Sequence, residues 1–505
     1  MFIVKFSQRK LRDNHIFGQF IYSVCLFIHH SHQVYICVVA YMTSHHWKLG
    51  TQRWFGQPAA QTHPHLIKEG EVTPGITKAE YQMRRQKLIR LALQSQINKN
   101  HIVIIPSATK QYMTSVIPYP FHQNTDFLYL SGFLEPDSLL VMQFNSKQTP
   151  NTALFVPKRD LSKELWDGPR SGVEGALQLT GVDSAFNTDE LGDFLRGYLC
   201  DHTGFILWYD EKSVSSPNLQ NSNLKDFVME NKHSRIENVS SLVQALRVIK
   251  SPTEVELMRK SCKITAEAFT EVMKYSYPGV NEHYLYAKMD FECRTRDAEI
   301  LAYPPVVAGG NRANTIHYVN NNQIVQGGQM VLMDAGCEYH GYVSDITRTW
   351  PVSGKFTDIQ RCLYDIVLRV QKQCIDVCVP GQNINKLYVY MLAVMGKELQ
   401  NIGLISKNSS NLIEETKSFC PHHVSHYLGM DVHDTLNVSC SEKLQPGMVI
   451  TVEPGKSNRT DLPAEFRGCG IRIEDNILIT GSKPDVLSSN VPKDADHIEK
   501  IMASS

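Results

Sequence analysis

Four carboxylates and one imidazole of metal-ligand type gather in the last third of the chain. They are Asp334 and Asp345 in MDAGCEYHGYVSD, His426 in HHVSHYLGMDVHD, Glu453 in VITVEPG and Glu474 in GIRIED. This is a hard, oxygen-rich donor set. It suits two divalent ions of the manganese, cobalt or zinc type better than a thiolate-rich structural zinc site does. Paired ions that share carboxylates can bind and activate water for hydrolysis.

The elements that must position these groups can be read locally. Asp334 follows the apolar run Met330–Met333 and Asp345 precedes the apolar run Ile346–Trp350, so both sit on or beside strands. A hairpin about Tyr339–His340 would make the two aspartates direct cross-strand partners, with Cβ atoms about 4.5–5.5 Å apart. Carboxylates that close repel unless a cation neutralises them. Read alone, the pair could equally be turn-flanking aspartates facing solvent. Glu453 ends the strand-like run Met448–Val452. A glutamate there, ahead of Pro454 and Gly455, is more often a surface residue than a ligand. In an alternating strand Arg472 and Glu474 share one face, and Ile471 and Ile473 the other. His422, His423, His426 and His433 crowd one short stretch. His317 in NTIHYV could carry a proton or donate a hydrogen bond, or be a histidine in an ordinary strand.

Upstream, residues 77–97 read as a helix and His101–Pro106 as a buried strand. Tyr119–Phe144 holds two apolar runs around a turn, and Ala153–Pro157 and Phe205–Tyr209 are short strands. This alternation predicts an α/β domain. Residues 213–237 are polar and read as a surface connection. Ser251, Pro252 and Glu254 form an N-cap, a first-turn proline and a capping-box acid, which open a helix with an apolar face at Val255, Met258, Cys262, Phe269 and Met273.

At 505 residues the chain is too long for one ordinary core. Its 51 basic and 51 acidic side chains leave no positive excess to hold phosphate backbones, which excludes nucleic-acid binding as the expected role. The twelve cysteines are scattered without tight zinc spacing, the usage of a reducing compartment. Residues 1–53 contain one acid, Asp13, against Lys5, Arg9, Lys10, Arg12, Lys48 and Arg53, the composition of a mitochondrial targeting leader. Its apolar stretches Phe17–Ile28 and Val34–Met42 fall short of the ~20 residues of a spanning helix, so no stable membrane span is expected.

Longer motifs carry a family resemblance from about Trp54 to the C-terminus. YPFHQNTDFLYLSGFLEPDS, ELWDGPRSG, LAYPPVVAGGNRANTIHYVNNNQ, VSDITRTWPVSGKF and CPHHVSHYLGMDVHDT, with the ligand order Asp, Asp, His, Glu, Glu, resemble the pita-bread metallopeptidases. Within these the chain is most similar to aminopeptidase P, and to its mitochondrial type in particular. The resemblance implies an α/β N-terminal creatinase-like domain over 54–245 and an α+β pita-bread catalytic domain over 246–505. It implies two divalent metal ions, in the first instance Mn(2+), with Asp345 and Glu474 bridging both. Asp334 would bind one ion, and His426 and Glu453 the other. A water or hydroxide between the ions would be the nucleophile, with Glu453 as general base. His317, His422 and His433 would bind substrate and stabilise the tetrahedral intermediate, and Arg472 would hold the ligand network.

The implied reaction removes the N-terminal residue from peptides with proline second, in a homodimeric, mitochondrial enzyme, with a cytoplasmic location as the alternative. A prolidase acting on Xaa-Pro dipeptides would share all five ligands. A catalytically impaired pita-bread module that only binds peptides is the rival of another class. One departure stands out. After Gly455 the family continues with an aliphatic-Tyr strand, whereas this chain has Lys456, Ser457, Asn458 and Arg459 in a shorter segment. The departure bears on substrate affinity and on the pose of Glu453, while all five ligand residues are present.

Overall fold

The computed structural model describes residues 55–202, 204–210, 222–231, 235–457 and 462–504, with two short strands, Ser23–Leu26 and Ile36–Val39, that pair antiparallel. The chain forms two units, Met1–Arg53 and Trp54–Ser505. The leader reading of residues 1–53 otherwise lies outside the described residues, as do Asn458 and Arg459. Among the described residues no helix is long and apolar enough to cross a membrane.

The second unit opens with α1 (Lys78–Ser95), capped by the Thr77 hydroxyl. Behind it lies a six-stranded mixed sheet of β1 (Asn100–Pro106), β2 (Leu139–Phe144), β3 (Asn151–Val156), β4 (Ser184–Asn187), β5 (Phe205–Trp208) and β6 (Arg235–Glu237), in the order β6-β5-β1-β2-β3-β4. Two expectations change here. The first apolar run of Tyr119–Phe144 is a helix, α2 (Thr125–Ser131), closed by Gly132 in the left-handed conformation. The connection expected at 213–237 contains a helix, Ser222–Glu230, and the edge strand β6. Leu224, Phe227 and Val228 at helical spacing are buried against β1 and β5, and the surrounding polar residues mask that stripe.

The following helix α3 (Val239–Arg247) leads to α4 (Pro252–Lys274), whose Ser251–Glu254 capping box and proline start are as expected. From here every strand pairing is antiparallel. β7 (Val306–Gly309), β8 (Met330–Ala335) and β11 (Ile346–Pro351) form one sheet in the order β7-β8-β11. Between β8 and β11 lies a small hairpin, β9 (Cys337–Tyr339) and β10 (Tyr342–Val343). Later come β12 (Val449–Val452), β13 (Gly455–Lys456), β14 (Ile471–Arg472) and β15 (Asp475–Leu478), with β12 on β15 and β13 on β14. Helices α4, Asp358–Asp376 and Ile384–Asn401 bury Phe269, Leu363, Val367 and Met391 in the core that backs these strands.

A buried ion cluster welds the two halves. Arg247, at the end of α3, donates to Asp126 of α2 at 2.7 Å, to Asp431 at 2.6 Å and to Asp434 at 2.5 Å, and Lys250 donates to Asp434 at 3.0 Å. Burial pushes the Asp434 carboxyl up, but the two cations outweigh it and hold its pKa below the ordinary value. The cluster therefore fixes the loop that carries His433 to α2 of the N-terminal half.

Removing one member of a buried pair leaves the other charge uncompensated, at about 3–5 kcal/mol. Arg247→Ala is expected to lower stability by about that amount, read as a lower urea midpoint, and an unchanged midpoint would show that the cluster is not a clamp. The folded pKa of Asp434 lies below its unfolded value of about 3.9. Its contribution should thus be complete above that value and be lost as pH falls through the folded pKa.

Candidate metal centre

The hairpin between Asp334 and Asp345 turns one residue later than expected. Tyr339 pairs with Tyr342, so the turn is His340–Gly341, and both have positive φ, 51° and 79°. This is the backbone of a two-residue type I′ turn, which matches strand twist. Asp334 consequently pairs with Thr347, not Asp345. The two aspartates are diagonal neighbours on one face, because residues two apart along a strand point the same way. Between them Gly336 packs so tightly that a Cβ there would stand 1.7 Å from the Ser344 carbonyl oxygen.

The diagonal register still brings the groups together. Ligand atoms of Asp345, His426 and Glu474 lie within 4.8 Å of one another. His426 Nε2 is 3.3 Å from Asp345 Oδ2 and 3.8 Å from Glu453 Oε1. Asp334 accepts from Arg472 at 2.5 Å. The Thr347 hydroxyl donates to Glu474 at 2.6 Å and accepts from Arg472 Nε at 3.1 Å, so Arg472 and Glu474 share a face as alternation required. Strand register is lost between them: β14 ends at Arg472, and the Glu474 N–H donates to the Thr347 carbonyl.

The electrostatics are those of a cation site lacking enough fixed positive charge. Burial, then the charges of Asp345, Glu453 and Asp334, pushes the Glu474 carboxyl well above the ordinary range. Burial likewise raises Glu453, to about 7, and raises Asp334 despite Arg472. Asp345 moves the other way, because His426 outweighs its burial. Reciprocally, Asp345 overcomes the burial of His426 and lifts it to about 9. Four carboxylates, Asp345 and Glu474 buried and Asp334 and Glu453 half-buried, face one guanidinium and one imidazole. The donor chemistry and the crowding both fit divalent cations held by Asp334, Asp345, His426, Glu453 and Glu474.

The remaining histidines surround this group unequally. The His433 ring packs edge-on against His426, centroids 4.4 Å apart, with its face to solvent. His422 Nδ1 lies 3.7 Å from Glu453 and 2.8 Å from the His423 carbonyl, and burial pushes its pKa down to about 4, so it is neutral. His317 is not in a strand. It is exposed in the turn after the short helix Gly310–Asn314, and its proximity is felt by His433, whose pKa it helps to lower after burial and His426.

One site residue escaped the sequence reading. The Tyr303 hydroxyl lies 2.6 Å from Asp334 Oδ1 and 2.5 Å from Asp345 Oδ1, donating to one at a time and setting their separation. Its only signal was its place in the motif LAYPPVVAGGN. The altered segment after Gly455 leaves the wall intact as far as it is described. Glu453 N–H donates to Val424 at 2.9 Å and Gly455 pairs with Arg472. The buried Lys456 ammonium donates to the carbonyls of Phe466 and Cys469 at 3.0 and 3.2 Å, and burial lowers its pKa to about 8.

Comparison with known proteins gives the family. Residues 256–481 match Metallopeptidase family M24, and residues 81–208 match the aminopeptidase P N-terminal domain. A rat protein named Xaa-Pro aminopeptidase 3 is 48% identical over 89% of this chain and 90% of its own length. The chain belongs to the M24 metallopeptidases. An Arabidopsis thaliana member, named mitochondrial intermediate cleaving peptidase 55, is 39% identical over 90% of this chain and 88% of its own. Proline aminopeptidase P II from Yersinia pestis superposes with a TM-score of 0.77 at 34% identity, over 85% of this chain and all of that one. The protein is thus an M24 metallopeptidase with an aminopeptidase P N-terminal domain, and the family implies divalent metal ions.

Groups that orient metal ligands typically contribute 10–100-fold to metal affinity. Tyr303→Phe is expected to weaken divalent-metal binding by roughly that factor in a chelator competition, with the fold unchanged by circular dichroism. Wild-type affinity would remove Tyr303 from the site.

Proposed function

We propose that this enzyme is an Xaa-Pro aminopeptidase, releasing the first residue of peptides with proline in second position. The observation that carries the reading is the buried group of Asp345, His426 and Glu474, bordered by Asp334 and Glu453, beneath an aminopeptidase P N-terminal domain. Asp345 and Glu474 would each hold both of two ions, Asp334 one, and His426 with Glu453 the other, and Mn(2+) suits this oxygen-rich set. When bound, the ions supply Lewis-acid polarisation of the substrate and make water more acidic.

The chain's own groups then divide the work. Glu453 takes a proton from the attacking water and delivers it to the departing proline nitrogen. Neutral His433 donates to the carbonyl oxygen as negative charge develops there. His422 and His317 hold substrate on either side, and Arg472 keeps Asp334 oriented through its 2.5 Å hydrogen bond. Proline makes a dedicated enzyme reasonable, since its tertiary amide lacks the N–H that other peptide substrates present.

Location and assembly follow from separate observations. The acid-poor residues 1–53, and a relative whose name includes mitochondrial, support a mitochondrial protein. An exposed apolar patch supports a homodimer. Val116 and Ile117 on one hairpin, with Leu165 and Trp166 on the helix Leu161–Asp167, are exposed, and the Lys110–Asp167 ion pair at 2.9 Å ties the two pieces together.

Manganese-loaded protein is expected to release free Xaa from an Xaa-Pro-Yaa-Zaa peptide, seen by mass spectrometry. An intact peptide with metal bound would refute the reading. His433→Ala should keep its metal and lose turnover by about 10²–10⁴-fold, the range of a proton-transfer or oxyanion group. An unchanged rate would exclude His433 from the mechanism.

A further inference from the structure

Glu282 opens the helix Glu282–Arg294, and its side chain is fully buried. None of the proposed chemistry uses it. Among the described residues its four side-chain hydrogen bonds all go to one stretch, residues 309–323, which carries His317. Oε1 accepts from the Gly309 N–H at 2.9 Å and from Arg312 Nε at 2.6 Å. Oε2 accepts from the Tyr318 hydroxyl at 2.9 Å and from the Gln323 N–H at 3.0 Å. One oxygen thus holds the arm that enters the His317 turn, and the other holds the arm that leaves it. His317 stands exposed between Arg312 and Tyr318, near enough to His433 for one ring to feel the charge of the other.

Four donors on one side chain call for a carboxylate. An ionised carboxylate offers about four lone-pair sites on two oxygens, whereas an amide offers one accepting oxygen and turns its NH2 toward the other arm. The bond to Arg312 is also an ion pair, and charge-assisted bonds are stronger than neutral ones. A buried N–H left without an acceptor is costly, so an arm that loses Glu282 must move to find another partner. The base of the segment is held independently. Asn321 accepts from the Val307 N–H at 2.8 Å and donates to the Pro305 carbonyl at 2.8 Å. Loss of one arm's bonds would therefore free the turn at His317 and leave the fold around it standing.

We propose that Glu282 is a positioning residue for substrate binding, acting by tying both arms of the turn that presents His317. The inference rests on the reading in which His317 holds substrate. His317 lies outside any helix or strand, so its place beside His433 is set by the carboxylate that both arms share. With one arm released, the turn presents His317 over a wider range of positions, and ordering it on binding costs affinity. An interaction lost equally from bound substrate and transition state raises KM and leaves kcat in place.

The test is steady-state turnover of an Xaa-Pro-Yaa-Zaa peptide by the manganese-loaded full chain carrying Glu282→Gln, beside NMR of the same protein with isotope-labelled histidine rings. KM is expected to rise roughly 10-fold, the loss of a charge-assisted hydrogen bond, with kcat and bound metal retained. Tyr318→Phe removes one bond of the leaving arm. It should raise KM by about 2–5-fold, and it carries the test if Glu282→Gln does not fold. In a His317→Ala background either change should add nothing, because both act through one ring. The His317 signal, identified by its absence in His317→Ala, should shift or broaden in both variants. The proposal fails if KM keeps its wild-type value, if KM rises by the same factor without His317, if kcat and metal fall together with it, or if the His317 signal is unmoved. A wild type that turns over no peptide overturns the aminopeptidase reading instead, and the His317 signal then still decides whether Glu282 positions the turn.

Discussion

Mutual repulsion among Asp334, Asp345, Glu453 and Glu474 is the constraint on which the rest of this structure turns. Each is at least largely buried, and three of the four are pushed toward holding a proton they would not keep in water. A protein does not ordinarily gather such groups, because burying a charge without a partner costs far more than any packing gain nearby. The arrangement makes sense as a cation site. The free energy of metal binding offsets what the fold spends in bringing the acids together.

The scaffold resists that repulsion through neighbours that are themselves fully satisfied. Arg348, a buried residue of β11, donates to the Glu474 carbonyl at 2.6 Å and to Asp475 at 2.7 Å. Asp475 in turn accepts from Gln371 at 2.6 Å and Lys493 at 2.5 Å. Arg348 and Lys493 outweigh its burial and hold its carboxyl down to about 2. Asn476 bonds both the N–H and the carbonyl of Asp345. Thus the backbone at Asp345 and Glu474 is fixed by the paired network of Asp475 and Asn476. Rigid support of this sort holds the geometry of a site, which is what preorganisation requires.

Much of this was legible in the sequence because strands and caps obey local rules. The Ser251–Glu254 capping box, the strand that carries Asp334 and the shared face of Arg472 and Glu474 all follow from spacing and period. What was missed depended on distant partners. The hairpin register moved by one residue because His340 accepts a positive φ ahead of Gly341, with its N–H and ring held by Glu299. The helix Ser222–Glu230 hid its apolar stripe among polar residues, and its burial partners are on β1 and β5. Tyr303 gave no local sign of its role, since nothing in its neighbourhood shows that it will meet two carboxylates some thirty and forty residues further on. Arg247 reads as an ordinary helix-terminal base until the fold brings Asp126, Asp431 and Asp434 to it.

The central claim is that bound divalent cations resolve the repulsion in this cluster. Elemental mass spectrometry of the purified, manganese-equilibrated chain beside its Glu474→Ala variant tests it most directly. The account predicts about two ions per chain in the wild type, from the shared-carboxylate donor set, and a clear loss in the variant. A wild-type chain without stoichiometric metal, or a variant that retains its full complement, would contradict it.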